Sequence, residues 1–245
     1  MQDIQPNNPL EELSQLTGGL AHEIRNPLST LRVNLQLLAE DLDELDGGND
    51  HVRRSLTRVR TMQNEVSRLR EILDDFIRFV GQHKLSLEIR DINRIIEELV
   101  EFYEPQAARK KVRLMTRLHE GPLAAPVDAD LIKQALLNLF LNAQQAMPEG
   151  GLLTMVLRDD PESVMVEVTD NGTGIAEEDL GKVFDPFFST KQVGMGTGLG
   201  LAVTHGIVKM HKGQIAVKSN ADRAAGPTGT TFTVTVPRHD QGIVG

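Results

Sequence analysis

The chain has 245 residues, 40% of them hydrophobic, and a net charge of −9 from 26 basic and 35 acidic side chains. The length allows one large or two ordinary domains, and the acidic balance argues against general binding to nucleic acid or anionic membranes. The absence of cysteine excludes a disulfide scaffold and a thiolate metal site or nucleophile. Because no apolar run approaches the roughly 18 residues of a membrane span, we expect a cytoplasmic chain, with any sensing or membrane region outside this sequence.

Apolar spacing predicts two long helices, over residues 9–45 and 51–80. The turn DGGND at residues 46–50 joins them into an antiparallel hairpin. One hairpin cannot cover both apolar stripes, so we expect two chains to pair into a four-helix bundle. The second helix is expected to direct these side chains inward: Leu56, Val59, Met62, Val66, Leu69, Leu73, Phe76 and Val80.

Within the first predicted helix, the stretch LAHEIRNPLSTL at residues 20–31 presents polar groups away from the leucine stripe. His22 lies two residues from each flanking apolar position, and Asn26 follows one turn later on the same face. Pro27 lacks an amide donor and crowds the carbonyl of Glu23, which predicts a bend. The pattern is typical of a reaction centre.

Residues 81–84 read as a linker, after which short strands and helices alternate. Helices are predicted from Asp91 through residue 104, after Asp128, and over residues 199–210, with the two aspartates as N-caps. Strands are predicted over residues 85–90, 112–118, 152–157, 164–169, 214–219 and 230–236. Helices and antiparallel strands in this order predict a two-layer α/β sandwich. The predicted domains are therefore residues 9–81 and 85–238.

Two asparagines in NLFLNA, Asn138 and Asn142, lie one turn apart on one helical face. Their neutral carboxamide oxygens suit Mg²⁺ that also contacts phosphate. The alternative interpretation is a pair of structural asparagines that make local hydrogen bonds.

The segment DNGTGI at residues 170–175 directly follows an apolar strand. The Asp170 carboxylate can accept a hydrogen bond from a purine amino group, and Gly172 and Gly174 allow the backbone to turn tightly and approach a ring. An ordinary turn is the alternative.

A third signal is the glycine cluster GMGTGLGL at residues 194–201, where a predicted helix begins. Free amides at a helix N-terminus bind phosphate, although no GK[ST] follows as in a Walker loop. Before it lies FDPFFSTK at residues 184–191, whose composition suits a mobile lid with Lys191 able to reach a terminal phosphate. Core packing is the alternative for its phenylalanines.

Together these segments closely resemble the motifs of sensor histidine kinases of two-component systems, over residues 10–237. AHEIRNPL is similar to the H box, NLFLNA to the N box, DNGTGI to the G1 box, FDPFFSTK to the F box and GTGLGL to the G2 box. The residue sequences HEIRNP and FFSTK look most like those of the nitrogen-regulation subgroup. The resemblance implies an α+β chain: a dimeric four-helix bundle, then an ATP-binding domain of the gyrase, chaperone and MutL type.

By this resemblance His22 is the phosphoacceptor for the γ-phosphate of ATP, and Glu23 orients it and takes its proton. The phosphoryl group would pass to an aspartate of a response regulator, and Asn26 would orient water for the reverse, phosphatase reaction. Asn142 would hold Mg²⁺ with Asn138 nearby, although many relatives have an acidic residue at the latter position. The adenine pocket would comprise Asp170, Gly172, Gly174 and Thr230. Phosphate contacts are expected from Lys191, Gly196, Thr197, Gly198, Leu199 and Gly200.

Two other functions remain open from the residues. One is a non-catalytic dimeric scaffold that binds nucleotide as a signal, and the other is a chaperone- or MutL-like ATPase. The complete set of Asn142, Asp170 and Gly198 favours an active kinase over a degenerate scaffold. A chaperone- or MutL-like ATPase needs no helical bundle that carries a histidine.

Overall fold

The computed structural model describes residues 28–29, 31–33, 35–40, 53, 56–57, 59–64, 66–67, 69–70, 73, 85–186, 188–190 and 198–238. The chain divides into two compact units: the first includes the described residues up to 73, and the second includes the described residues within 84–189 and 198–238. In the part of the chain that the structure describes, no helix is long and apolar enough to cross a membrane.

The first unit is helical at every described position between residues 28 and 73, as the apolar spacing predicts. Partly buried Leu35 packs against a small core of Ala39, Leu56 and Val59. Other apolar side chains of these helices remain between 44% and 57% exposed, namely Leu31, Val33, Leu37, Leu38, Met62 and Leu69. Met62 and Leu69 are uncovered within one chain because a single hairpin buries only part of its apolar surface, and the expectation that they point inward in a bundle of two chains stays a prediction. The predicted turn, the linker, and the positions of Phe76 and Val80 lie outside the described residues.

The second unit contains a sheet with helices packed on it. Its described elements, in chain order, are β1 (Glu88–Asp91), α1 (Ile92–Arg109), β2 (Val112–Arg117), β3 (Ala124–Val127), α2 (Ala129–Ala146), β4 (Gly151–Asp159), β5 (Ser163–Asp170), α3 (Gly200–Met210), β6 (Gln214–Asn220) and β7 (Gly229–Pro237). A short 3-10 helix covers Glu177–Lys182. The strand order is β2-β4-β5-β7-β6, and β1 pairs separately with β3.

The inner face of the five-stranded sheet forms the core. Alternate residues of β4, β5 and β7 are buried on this face, as the period of two in a strand requires: Leu153, Met155, Leu157, Val164, Val166, Val168, Phe232, Val234 and Val236. They belong to one cluster with buried residues of α1 and α2, including Ile96 and Phe140. The predicted two-layer α/β architecture is confirmed.

One pairing differs from the expected antiparallel arrangement. Strands β2 and β4 pair in parallel, with Val112 opposite Gly151, because the intervening chain crosses over through β3 and α2 and returns in the same direction. Strand β3 itself, AAPV, was not predicted. It is short and contains Pro126, a residue that normally argues against a strand.

Both predicted N-caps are confirmed. The side chains of Asp91 and Asp128 each accept a hydrogen bond from a backbone amide in the first turn of the following helix, at 3.1 and 3.2 Å. Helix α1 continues past the predicted end at residue 104, through Pro105, to Arg109. Tyr103 and Ala107, each 1% exposed, anchor the helix on both sides of this proline, and their burial offsets the hydrogen bond that proline removes.

Candidate nucleotide-binding site

Asp170 ends β5 with its residue only 6% exposed. Its Oδ1 accepts a hydrogen bond of 2.8 Å from the amide of Gly172, and the backbone of Thr230 also bonds to the carboxyl group. Burial raises the pKa of Asp170, because the charged form loses hydration, while the two backbone hydrogen bonds act in the opposite direction. The site therefore offers a buried hydrogen-bond acceptor at the end of a strand, as the sequence predicts.

The two glycines after Asp170 are required by close backbone approaches. A Cβ on Gly172 would lie 2.6 Å from the carbonyl oxygen of Ala146, at the end of α2. Gly174 has φ +74°, and a Cβ there would collide with the carbonyl of Asn220. Because a side chain fits at neither position, the loop stays narrow between α2 and the end of β6.

A hydroxyl network orients Thr230, which lies opposite Asp170 across the β5–β7 pair. Ser219 Oγ donates to the carbonyl of Gly229 at 2.8 Å and accepts from the amide of Ile175 at 2.8 Å. Ser219 uses its only hydroxyl proton on that carbonyl, so the 2.8 Å contact between its Oγ and Thr230 Oγ1 is donated by Thr230. The Thr230 oxygen therefore keeps acceptor capacity. Nothing in the sequence pattern pointed to Ser219, because its partners come from distant segments.

The start of α3 faces Asn138 of α2. Asn138 Nδ2 donates to the carbonyl of Gly200 at 3.1 Å and to Thr204 Oγ1 at 3.4 Å. Gly198 has φ +70°, and the N-cap residue Leu199 is fully buried. A leucine side chain cannot accept hydrogen bonds, so it leaves the first amides of α3 to other partners, which is the arrangement that binds anions at helix N-termini.

Asn142 lies one turn after Asn138 on α2 and is half-buried. It makes an interaction in the structure, and its predicted role as a Mg²⁺ ligand remains a prediction. Among the residues that the structure describes, no group of three or more His, Cys, Asp or Glu side chains could hold a metal ion. Any magnesium here would depend on amide oxygens and on the oxygens of its own phosphate ligand.

One phenylalanine of the predicted lid packs within the second unit. The ring of Phe184 stacks on His205 of α3, with centroids 5.4 Å apart, and meets Phe232 of β7 edge to face at 6.3 Å. For this residue the core-packing alternative is confirmed.

Six predicted site residues lie outside the described part of the chain. They are the reaction-centre residues His22, Glu23 and Asn26, and the phosphate-binding candidates Lys191, Gly196 and Thr197. The structure brings the remaining ones into one unit, at the ends of β5, α2 and β7 and at the start of α3. A buried acceptor, a loop without room for side chains and a helix N-terminus without a side-chain cap suit an adenine nucleotide.

Two family models match the chain. The His Kinase A (phospho-acceptor) domain matches residues 12–80, and the histidine kinase-, DNA gyrase B-, and HSP90-like ATPase matches residues 127–240. Together they cover about three quarters of the chain. The chain belongs to the histidine kinases of two-component systems.

Curated relatives agree with this family. The chain is 34% identical over 235 residues to the sensor histidine kinase ZraS of Escherichia coli K12, covering 96% of this chain and 48% of ZraS. It is 32% identical over 249 residues to sporulation kinase A of Bacillus subtilis 168, covering 97% of this chain and 38% of that kinase. The chain thus spans half or less of the length of these relatives.

Solved structures of the histidine kinase ThkA share the fold. Its catalytic domain, without nucleotide, matches 62% of this chain and 98% of that domain with 29% identity and a TM-score of 0.55. ThkA in complex with the response regulator protein TrrA matches 97% of this chain and 68% of that chain, with 21% identity and a TM-score of 0.66.

Proposed function

We propose that this chain is the catalytic core of a sensor histidine kinase that phosphorylates itself on His22 with ATP and passes the phosphoryl group to an aspartate of a response regulator. The observation that carries the proposal is the buried acceptor Asp170 beside the narrow Gly172–Gly174 loop, in a chain whose phosphoacceptor-domain match includes His22. The domains proposed for these two tasks are residues 9–81 and 85–238.

In the ATP-binding domain, Asp170 accepts a hydrogen bond from the adenine amino group, and Thr230 offers a second acceptor. Gly198, Leu199 and Gly200 present backbone amides to the phosphates at the start of α3. Lys191, Gly196 and Thr197 complete these contacts. When bound between Asn142 and the phosphates, Mg²⁺ would supply positive charge against the charge that develops in phosphoryl transfer.

In the helical unit, His22 acts as the nucleophile. Glu23 orients the imidazole and takes its proton, since the attacking nitrogen must be unprotonated. Asn26, one turn further along the predicted helix, orients water when the regulator is dephosphorylated. We also assign the chain to the nitrogen-regulation-like subgroup, because of the residue sequences HEIRNP and FFSTK.

The phosphoacceptor domain implies a dimer, and the helical unit supports it, because its apolar side chains Leu31, Leu38, Met62 and Leu69 are exposed within one chain. A second hairpin that covers them would complete a four-helix bundle. The proposed partner of the dimer is a response regulator receiver domain, as in the complex that ThkA forms with TrrA.

The test is incubation with γ-labelled ATP and Mg²⁺. The wild type should incorporate acid-labile label, and His22→Gln should incorporate none while it still binds ATP. His119→Gln serves as the matched control, because His119 lies at the surface beside Asp159, and it should label normally. Label on His22→Gln would contradict the assignment of His22.

The same experiment separates the other functions. Nucleotide binding without label in the wild type would favour the dimeric scaffold. Sustained ATP hydrolysis that His22→Gln leaves unchanged would favour a chaperone- or MutL-like ATPase.

A further inference from the structure

Helices α2 and α3 run antiparallel and are joined by polar contacts at both ends of their interface. Asn138 of α2 binds the first turn of α3 through Gly200 and Thr204. At the other end, His211 Nε2 accepts from the amide of Asp128, the N-cap of α2, at 3.0 Å. Between these contacts Leu131, Ala135, Val203 and Ile207 form a separate apolar cluster.

In the contact at Asn138, the side-chain amide of this residue is the donor of both hydrogen bonds. The carbonyl of Gly200 accepts from Asn138 Nδ2 and also from the Thr204 hydroxyl, at 2.9 Å. Thr204 Oγ1, whose own proton is used in this way, accepts the second Nδ2 proton. Two side chains thus hold one carbonyl at the first residue of α3, and a carboxylate at position 138 could donate to neither acceptor.

We propose that Asn138 is a positioning residue. Through its side-chain amide it holds the first turn of α3 against α2 and thereby fixes the Gly198–Gly200 backbone that binds nucleotide phosphates. This role presupposes the nucleotide binding proposed above, and it differs from the predicted one, in which Asn138 lies close to Mg²⁺.

Such an anchor matters here because the segment before α3 is rich in glycine. Four of the seven residues from Gly194 to Gly200 are glycine. Glycine loses more conformational freedom than any other residue when it becomes ordered. Backbone donors that are already held in place need less ordering when the ligand binds. Asn138 and Thr204 hold the Gly200 end of this segment in place through their hydrogen bonds to its carbonyl.

Thr204 provides the sharpest test, because it lies on α3 one turn after Gly200 and is fully buried. Thr204→Val keeps the shape of the side chain but removes the hydroxyl, which bonds to Gly200 and Asn138 and lies 3.4 Å from the carbonyl oxygen of Ala135 on α2. Any loss of nucleotide affinity in this variant must act through the position of α3. Thr204→Ser retains the hydroxyl and should restore binding.

The experiment measures the affinity of the full chain for ADP by calorimetry, once with Mg²⁺ and once with EDTA. Loss of one or two neutral hydrogen bonds should weaken ADP binding about three- to tenfold in Asn138→Ala and in Thr204→Val. The factor should be the same with and without Mg²⁺. The double variant should lose less than the product of the two single effects, because both side chains hold the same carbonyl.

Two further variants provide controls. Thr235→Val makes the same chemical change on the outer face of β7 and should leave ADP affinity unchanged. Asn142→Ala, at the proposed Mg²⁺ ligand, should weaken binding only when Mg²⁺ is present. Thermal unfolding of each variant establishes that it is folded under the conditions of the titration.

Three results would overturn the proposal. Wild-type affinity in Thr204→Val would show that the hydroxyl does not position α3. An effect of Asn138→Ala that occurs only with Mg²⁺ would make Asn138 a metal ligand. Absence of ADP binding by the wild type would refute nucleotide binding itself, and with it both this role and the proposed function. Weaker but measurable binding in the variants supports the positioning role whether or not His22 is the phosphoacceptor.

Discussion

Asp170→Asn should weaken nucleotide binding without destabilising the folded chain. The substitution keeps the size of the side chain and an oxygen for the amide of Gly172, 2.8 Å from Oδ1 in the wild type. It removes the negative charge and one acceptor. A hydrogen bond to a charged group contributes about 1.5–3 kcal/mol, so ADP affinity should fall between roughly ten- and 150-fold.

The stability of the ligand-free chain should change in the opposite direction. Burial raises the pKa of Asp170, so the folded chain holds this proton to higher pH than the unfolded chain does. The stabilisation that protonation gives is present below the unfolded pKa and is lost as pH rises through the folded pKa. At neutral pH the Asp170→Asn chain, whose asparagine resembles the protonated acid, should therefore be at least as stable as the wild type. The difference in stability between the two chains should become smaller at acidic pH.

Calorimetric titration with ADP and thermal unfolding without ligand, each at several pH values, measure both effects. Wild-type ADP affinity should also fall as pH decreases through the raised pKa of Asp170, because the ionised carboxylate is the better acceptor. Asp170→Asn should lack this part of the pH dependence. Unchanged ADP affinity, or a loss of stability at neutral pH that accompanies the loss of affinity, would refute the reasoning.

Three further substitutions test the fold around the site. His211→Ala removes the acceptor for the amide of Asp128 and should lower the free energy of unfolding by about 1–3 kcal/mol, whereas equal denaturation midpoints would contradict this. Gly174→Ala should destabilise by about 2 kcal/mol or more, because φ is +74° and the Cβ meets Asn220; wild-type stability in urea would argue against the observed loop. Leu69→Lys places a charge on the exposed apolar surface of the helical unit and should shift sedimentation toward monomer; an unchanged sedimentation coefficient would contradict the placement of that surface in the dimer interface.

Features governed by local chemistry could be predicted from the sequence. The N-caps Asp91 and Asp128 were predicted because an aspartate before an apolar-periodic segment satisfies the first amides of a helix. The strand that ends at Asp170 was predicted because alternation and the following glycines are both local signals.

Features that depend on distant partners could not be predicted in the same way. Asn138 and Gly200 are 62 residues apart, and Asp128 and His211 are 83 apart, so no local pattern relates them. The choice between a metal ligand and a hydrogen-bonding asparagine was open at position 138 for this reason.

The same limit explains the errors in the fold. The parallel pairing of β2 with β4 is decided by how the chain crosses over, and strand propensity contains no information about direction. The end of α1 was placed too early because a proline normally ends a helix, whereas buried Ala107 keeps the last turn in place.

The most direct test of the central claim is the transfer of label from the chain to a receiver domain. The wild type is labelled with γ-labelled ATP and Mg²⁺, freed of nucleotide, and mixed with candidate receiver domains. We predict that label is lost from His22 and gained by an aspartate of one receiver, and that His22→Gln supports neither step. Label on another residue of the chain, or equal transfer from His22→Gln, would contradict the account.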